Sequence, residues 1–153
     1  MTAPILVFAW GNPSRGDDAL GPQLVEAVAQ LALPGVECLT DFQLQVEHAL
    51  DLKGRQRVLF VDASMNAAPP FQVTPVKPAR DASFTSHAMS PAAVLQAYRD
   101  VEGEDPPPTW QLAIRGDAWE LGEAPTAVAL DHLAAALAWI RDWLAQPVME
   151  VAT

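Results

Sequence analysis

The chain has 153 residues, half of them hydrophobic, with 19 acidic against 9 basic residues and a formal net charge of −10. That length and apolar content suit one globular domain with a substantial core. The acidity makes nucleic acid and anionic membrane poor partners.

Residues 4–10 are continuously apolar, as a buried parallel strand requires, since alternation would expose one face. Gly11-Asn12-Pro13-Ser14-Arg15-Gly16-Asp17-Asp18-Ala19-Leu20-Gly21 follows at once and sets two adjacent carboxylates at the exit of that strand. A strand-to-helix turn in an α/β fold usually offers backbone N–H groups to anions. Here it offers negative charge, which suits a cation or a polarised peptide. The plain alternative is that Asp17 or Asp18 caps the helix that begins near Ala19. Leu20, Leu24, Val25, Val28 and Leu31 recur at helical spacing until Pro34-Gly35 stops them.

Val36 to Leu39 is a second strand ending at Asp41, and Cys38 within it is expected to be a buried small hydrophobe. Val46 to Leu52 is a short helix, on which His48 is expected to be solvated. Val58-Leu59-Phe60-Val61 is the clearest strand, ending in Asp62. Phe71 to Val76 is a further strand, confined by its prolines to an edge. Ser90-Pro91 opens a helix through about Arg99, with Ser90 as its cap. His87 lies on the loop that leads into it. Residues 102–108 form a loop, Trp110 to Ile114 a strand, and Thr126 to Leu144 the last helix, with Val128, Leu130, Leu133, Leu137, Ile140 and Leu144 on its apolar side. His132 is expected to lie far from the ends of the strands, the tryptophans to pack in the core, and residues 146–153 to fray.

Strands alternating with helices indicate a three-layer α/β/α sandwich around a central, twisted, mostly parallel sheet of about five strands, formed by residues 1–153 as one domain. Ligands of such sheets bind at the carboxyl ends of the strands. Asp17, Asp18, Asp41 and Asp62 therefore gather on one rim, and His87 joins them if its loop reaches it. Two carboxylates and an imidazole suit a divalent transition metal or metal-free acid–base work. No paired-Cys or paired-His spacing signals a closed zinc site. No Gly-x-Ser-x-Gly elbow points to a serine hydrolase, and Ala9-Trp10 breaks any Gly-x-Gly-x-x-Gly dinucleotide fingerprint.

Residues 5–12, Asp17 to Gly21, Val61-Asp62-Ala63 and Ser86-His87 before Ser90-Pro91 together resemble the hydrogenase maturation proteases, and the resemblance extends through Arg115-Gly116-Asp117 to the last helix. It implies an endopeptidase that removes the C-terminal extension of a nickel-loaded [NiFe] hydrogenase large-subunit precursor, with the substrate's nickel as the recognition signal. By position, the resemblance makes Asp18, Asp62 and His87 the catalytic and nickel-binding residues. Asp41, Asp17 and Asn12 would orient the substrate. Nickel would arrive with the substrate rather than being held by the free enzyme. The Asp41 to Gln45 segment resembles maturases of soluble, multimeric cytoplasmic hydrogenases. The lack of a secretory signal or a long apolar run makes the cytoplasm the expected location. Ala9-Trp10 departs from the family's usual glycine and small aliphatic residue, and Asp18 stands where some relatives carry Glu. Two other readings of the same rim are a non-enzymatic precursor- or metal-binding module and a nickel-independent peptidase of aspartic type.

Overall fold

The computed structural model describes residues 2–80 and 89–147. His87 and the end of the tail from residue 148 lie outside the described residues. Five strands, β1 (Ile5–Trp10), β2 (Val36–Asp41), β3 (Arg57–Ser64), β4 (Phe71–Val76) and β5 (Thr109–Arg115), form one sheet in the order β2-β1-β3-β5-β4. The first three and β5 run parallel, and β4 pairs antiparallel with β5 at the edge. Pro75 sits within β4, where an edge position tolerates the missing N–H.

Among the described residues three α-helices and two short 3₁₀ segments flank the sheet. Helices α1 (Leu20–Gln30) and α3 (Ala127–Ala145) cover one face, where Val7, Leu24, Leu59, Leu112 and Ile140 are buried together. Helix α2 (Pro91–Glu102) and the 3₁₀ helix Val46–Leu52 cover the other, over Leu6, Phe8, Phe60, Val94 and Tyr98. The expected three-layer α/β/α sandwich is the observed one. Strands β1 and β3 are buried on both sides, which is why their sequences are continuous apolar runs. Ser90 caps α2 by accepting the Ala93 N–H at 3.1 Å, as its sequence position predicts.

Some sequence expectations give way to packing. In α3 the buried positions are Ala129, Ala136, Ile140 and Trp143, whereas Val128 and Leu130 are exposed. Leu133, Leu137 and Leu144 pack partly buried against the same core, so four of the six expected apolar positions face the sheet and small residues complete the contact. Cys38 is half-buried on the edge strand rather than enclosed, and burial pushes its thiol pKa up, which keeps it protonated. Among the described residues no helix is long and apolar enough to cross a membrane.

Candidate active site

The carboxyl ends of β1, β2 and β3 lie side by side, and three of the four acids singled out in the sequence, Asp18, Asp41 and Asp62, emerge there. Trp10 is level with Asp41 across the β1–β2 ladder, and Ala9 is level with Val61 on the other side. Asp41 and Asp62 thus flank β1 at its exit. Asp18 returns to the same place because the turn after β1 folds back tightly. Gly11 has φ +145°, and a Cβ there would lie 2.1 Å from the Asp18 carbonyl oxygen. Only glycine permits that approach. The Asp18 side chain then accepts the Asn12 N–H at 2.7 Å, which fixes the carboxylate over the strand end.

Asp62 is half-buried, and its environment differs from that of an ordinary carboxylate. Burial raises its pKa, the negative charge of Asp18 raises it further, and the Ala63 N–H and the Trp10 indole N–H offset only part of this, so that the value is pushed up to about 7. Asp62 is therefore protonated about half of the time near neutrality. Trp10, a departure from the family pattern, serves here as a donor to Asp62 and packs its ring edge-on against Phe60 with centroids 5.7 Å apart. It packs against the core, as expected of the tryptophans, and its indole N–H serves the site as well.

Asp17 does not face the rim. It is fully buried and its two oxygens accept the N–H groups of Asp117 (2.9 Å), Ala118 (3.1 Å) and Thr126 (2.8 Å), together with the Thr126 hydroxyl (3.2 Å). The carboxylate ties the loop after β5 to the turn after β1. A substrate-orienting part for Asp17 gives way to this structural one, because no lone pair is left pointing outward. Neither Asp17 nor Asp18 caps α1. The side-chain oxygen of Asn12 accepts the Ser14 N–H at 2.9 Å, so it closes the turn on itself.

Asp41 is half-exposed at the rim, with Oδ1 accepting the Phe42 N–H at 2.7 Å and Oδ2 lying 3.0 Å from His48 Nε2. His48 is buried, contrary to the solvated position expected for it. Its ring lies against Phe8 at 4.5 Å, a contact that a strand and a short helix of the same face make available only after folding. His132 is also nearer the rim than expected, for its Nδ1 donates to the carbonyl of Arg115 at the end of β5.

A cavity of about 240 Å³ opens beside Asp41, lined by Gly11, Pro13, Pro22, Thr40 and Phe42. A larger cavity, of about 610 Å³, lies at the opposite ends of the strands among Val28, Ala29, Val36, Cys38 and Arg55, away from the acid pair. Ligands of parallel sheets bind at the carboxyl ends, so the smaller cavity is the relevant one. Among the described residues no three His, Cys, Asp or Glu side chains gather as a complete metal site. The rim supplies two carboxylates and needs a further donor to hold a cation.

No protein-family model matches the chain, and no curated protein does. Solved structures match it over nearly its whole length. The hydrogenase maturating endopeptidase HybD from Escherichia coli aligns with a TM-score of 0.71 at 26% identity, covering 92% of this chain and 91% of that one. The [NiFe] hydrogenase maturation protease HycI from Thermococcus kodakarensis aligns with a TM-score of 0.70 at 20% identity, covering 94% of each chain. The hydrogenase 2 maturation peptidase from a Thaumarchaeota archaeon aligns with a TM-score of 0.64 at 19% identity, covering 92% of this chain and 97% of that one.

Proposed function

The chain is a structural relative of the hydrogenase maturation proteases, and we propose that it is an endopeptidase that removes the C-terminal extension of a [NiFe] hydrogenase large-subunit precursor. The observation that carries this reading is the Asp18–Asp62 pair at the strand exit, with one carboxyl held at about 7. A divalent cation brought by the precursor would displace the Asp62 proton and be met by two carboxylates. His87 is the third donor in this proposal. It lies two residues before Met89 in the sequence, and Met89 donates its N–H to the Leu44 carbonyl at 2.9 Å, beside the Asp41–His48 segment. The nickel is part of the substrate, and it would mark the precursor as ready for cleavage.

Within this reading the residues of the chain divide the work. Asp18 and Asp62 hold the cation or pass a proton, and Trp10 steadies Asp62. Asp41 accepts hydrogen bonds from the precursor near the bond to be cut. The partner is proposed to be the large subunit of a soluble, multimeric cytoplasmic hydrogenase, with the cytoplasm as the place of action. The net charge of −10 suits a precursor that presents a basic face or tail, through long-range attraction.

The raised pKa of Asp62 beside the Asp18 charge also favours a second reading, a peptidase of aspartic type that needs no nickel, because two neighbouring carboxylates can act as acid and base. Intact-mass analysis of a precursor separates these possibilities. Nickel-loaded and nickel-free precursors are incubated with wild type, Asp62→Asn and His87→Ala. Loss of a discrete C-terminal peptide from the loaded precursor alone, by wild type alone, is the expected result. Cleavage of the nickel-free precursor would favour the aspartic reading, and an unchanged mass throughout would leave a binding module.

A further inference from the structure

We propose that His48 is a positioning residue, which holds the Asp41 carboxylate at the mouth of the 240 Å³ cavity to receive a hydrogen-bond donor of the precursor polypeptide. The inference rests on the proposed recognition of a precursor at this rim. His48 is the third residue of the 3₁₀ helix Val46–Leu52, and its Nδ1 accepts the Gln45 N–H at 2.8 Å. That acceptance fixes the tautomer, so the ring proton is on Nε2 and is donated to Asp41 Oδ2 at 3.0 Å. The ring cannot turn, because it is buried with 7% exposure and packed on Phe8.

Capping the 3₁₀ helix needs only Nδ1. Nε2 is spent instead on a carboxylate whose side chain remains 41% exposed. Oδ1 of the same carboxylate is held by the Phe42 N–H, so both oxygens are anchored from the protein side. Each keeps a lone pair free, and Asp41 lines the cavity together with Pro13, Pro22 and Phe42. An exposed aspartate ordinarily turns among rotamers, and an incoming donor must then bear the cost of ordering it. With His48 and Phe42 holding it, that ordering is complete before the precursor arrives. The apolar walls add contact for the chain that carries the donor.

The two amide substitutions separate the nitrogens. His48→Asn retains an acceptor for the Gln45 N–H and lacks a donor that reaches Asp41, while His48→Gln retains the donor and gives up the acceptor. KM and kcat are measured on nickel-loaded precursor, and Kd for the same precursor is measured in an Asp62→Asn background, where nothing is cleaved. His48→Asn should raise KM and Kd about tenfold, the loss of one oriented bond to a charge, with kcat little changed. His48→Gln should stay within about threefold of wild type. In an Asp41→Asn background His48→Asn should add nothing, since its effect runs through Asp41.

A merely structural histidine predicts the reverse order, with His48→Gln the worse variant. That order, an unchanged Kd in His48→Asn, or additive losses in the double variant would overturn the proposal. Should His48→Asn fail to fold, Asp41→Asn with His48 intact must still raise Kd about tenfold. An unchanged Kd there would overturn it equally. A wild type that binds the precursor without cutting it would refute the proteolytic reading while leaving the Kd comparison decisive for His48.

Discussion

Replacing Asp17 by Asn is the sharpest test of how the rim is built. Three backbone N–H groups and one hydroxyl converge on this fully buried carboxylate, at 2.8 to 3.2 Å. An amide has one acceptor oxygen. If that oxygen takes the place of Oδ2, the Asp117 and Ala118 N–H groups keep a partner, but the new NH₂ meets the Thr126 N–H, donor against donor. One buried N–H is orphaned, at about 1–3 kcal/mol, and two charge-assisted bonds fall to neutral strength, at roughly 0.5–1 kcal/mol each. The total is about 2–5 kcal/mol, which for a chain of this size lowers Tm by roughly 4–20 °C. Thermal and urea unfolding followed by circular dichroism measure it. The pH dependence provides a second check. Burial alone would raise the Asp17 pKa, yet the N–H groups of Asp117, Thr126 and Ala118 and the Thr126 hydroxyl outweigh it and hold the value below the usual range. A depressed folded-state pKa gives stability that is present above the unfolded value, about 3.9, and is lost as pH falls through the folded one. The gap between wild type and variant should therefore persist from pH 8 to pH 5 and close below about pH 4. A loss under about 0.5 kcal/mol at pH 7, or a gap that widens on acidification, would refute the clamp.

Asp62 has the opposite sign. Its folded-state pKa, raised to about 7, means that the folded metal-free protein holds a proton which the unfolded chain releases near pH 4, so wild-type stability falls as pH rises from about 4 to about 7. Asp62→Asn removes this loss. The variant should be more stable than wild type at pH 8 by on the order of 1–3 kcal/mol, the lower figures allowing for the partial exposure of the carboxyl. Equal or lower stability at pH 8 would show that the site does not strain this group. Gly11→Ala drives a Cβ to 2.1 Å from the Asp18 carbonyl oxygen at a φ that disfavours alanine, so it should both destabilise the fold by about 2 kcal/mol or more and displace Asp18. Denaturant titration together with the chemical shifts of Asp18 would detect this, and a variant as stable as wild type would refute the close approach.

The sheet was legible in the sequence because burial on both sides leaves an unmistakable apolar run. Strands β1 and β3 follow from Ile5 to Trp10 and from Val58 to Val61 alone, and the edge position of β4 follows from its prolines. The rule that ligands meet the carboxyl ends of parallel strands then put Asp18, Asp41 and Asp62 on one rim before any side chain was placed. The particular task of each acid was not legible. Asp17 and Asp18 are neighbours with the same chemistry, and what separates them is a set of donors about 100 residues downstream. His48 looked solvated because its partner Asp41 lies across an irregular segment with no helical or strand period to relate them. In α3 the large aliphatics gave the right face through Leu133, Leu137, Ile140 and Leu144, and missed only that Val128 and Leu130 are exposed and that Ala129 and Ala136 let helix and sheet approach closely.

The rim thus separates identical side chains by the number of donors each receives. Asp17 takes three N–H groups and a hydroxyl, and stays ionised without exposure. Asp62 receives one N–H and one indole and faces another carboxylate, so it holds its proton until something else neutralises the pair. The first acid fixes the turn that carries Asp18, and that turn in turn raises the pKa of Asp62. A perturbation at the clamp should consequently appear at the rim. In Asp17→Asn the turn that carries Asp18 loosens, and the Asp62 pKa should fall below about 7 while staying above the ordinary carboxylate range, since burial, its largest cause, remains. Carbon-detected titration of the Asp62 carboxyl would register that fall. A value still at about 7 in a folded Asp17→Asn protein would mean that burial alone sets it and that the clamp and the acid pair are independent.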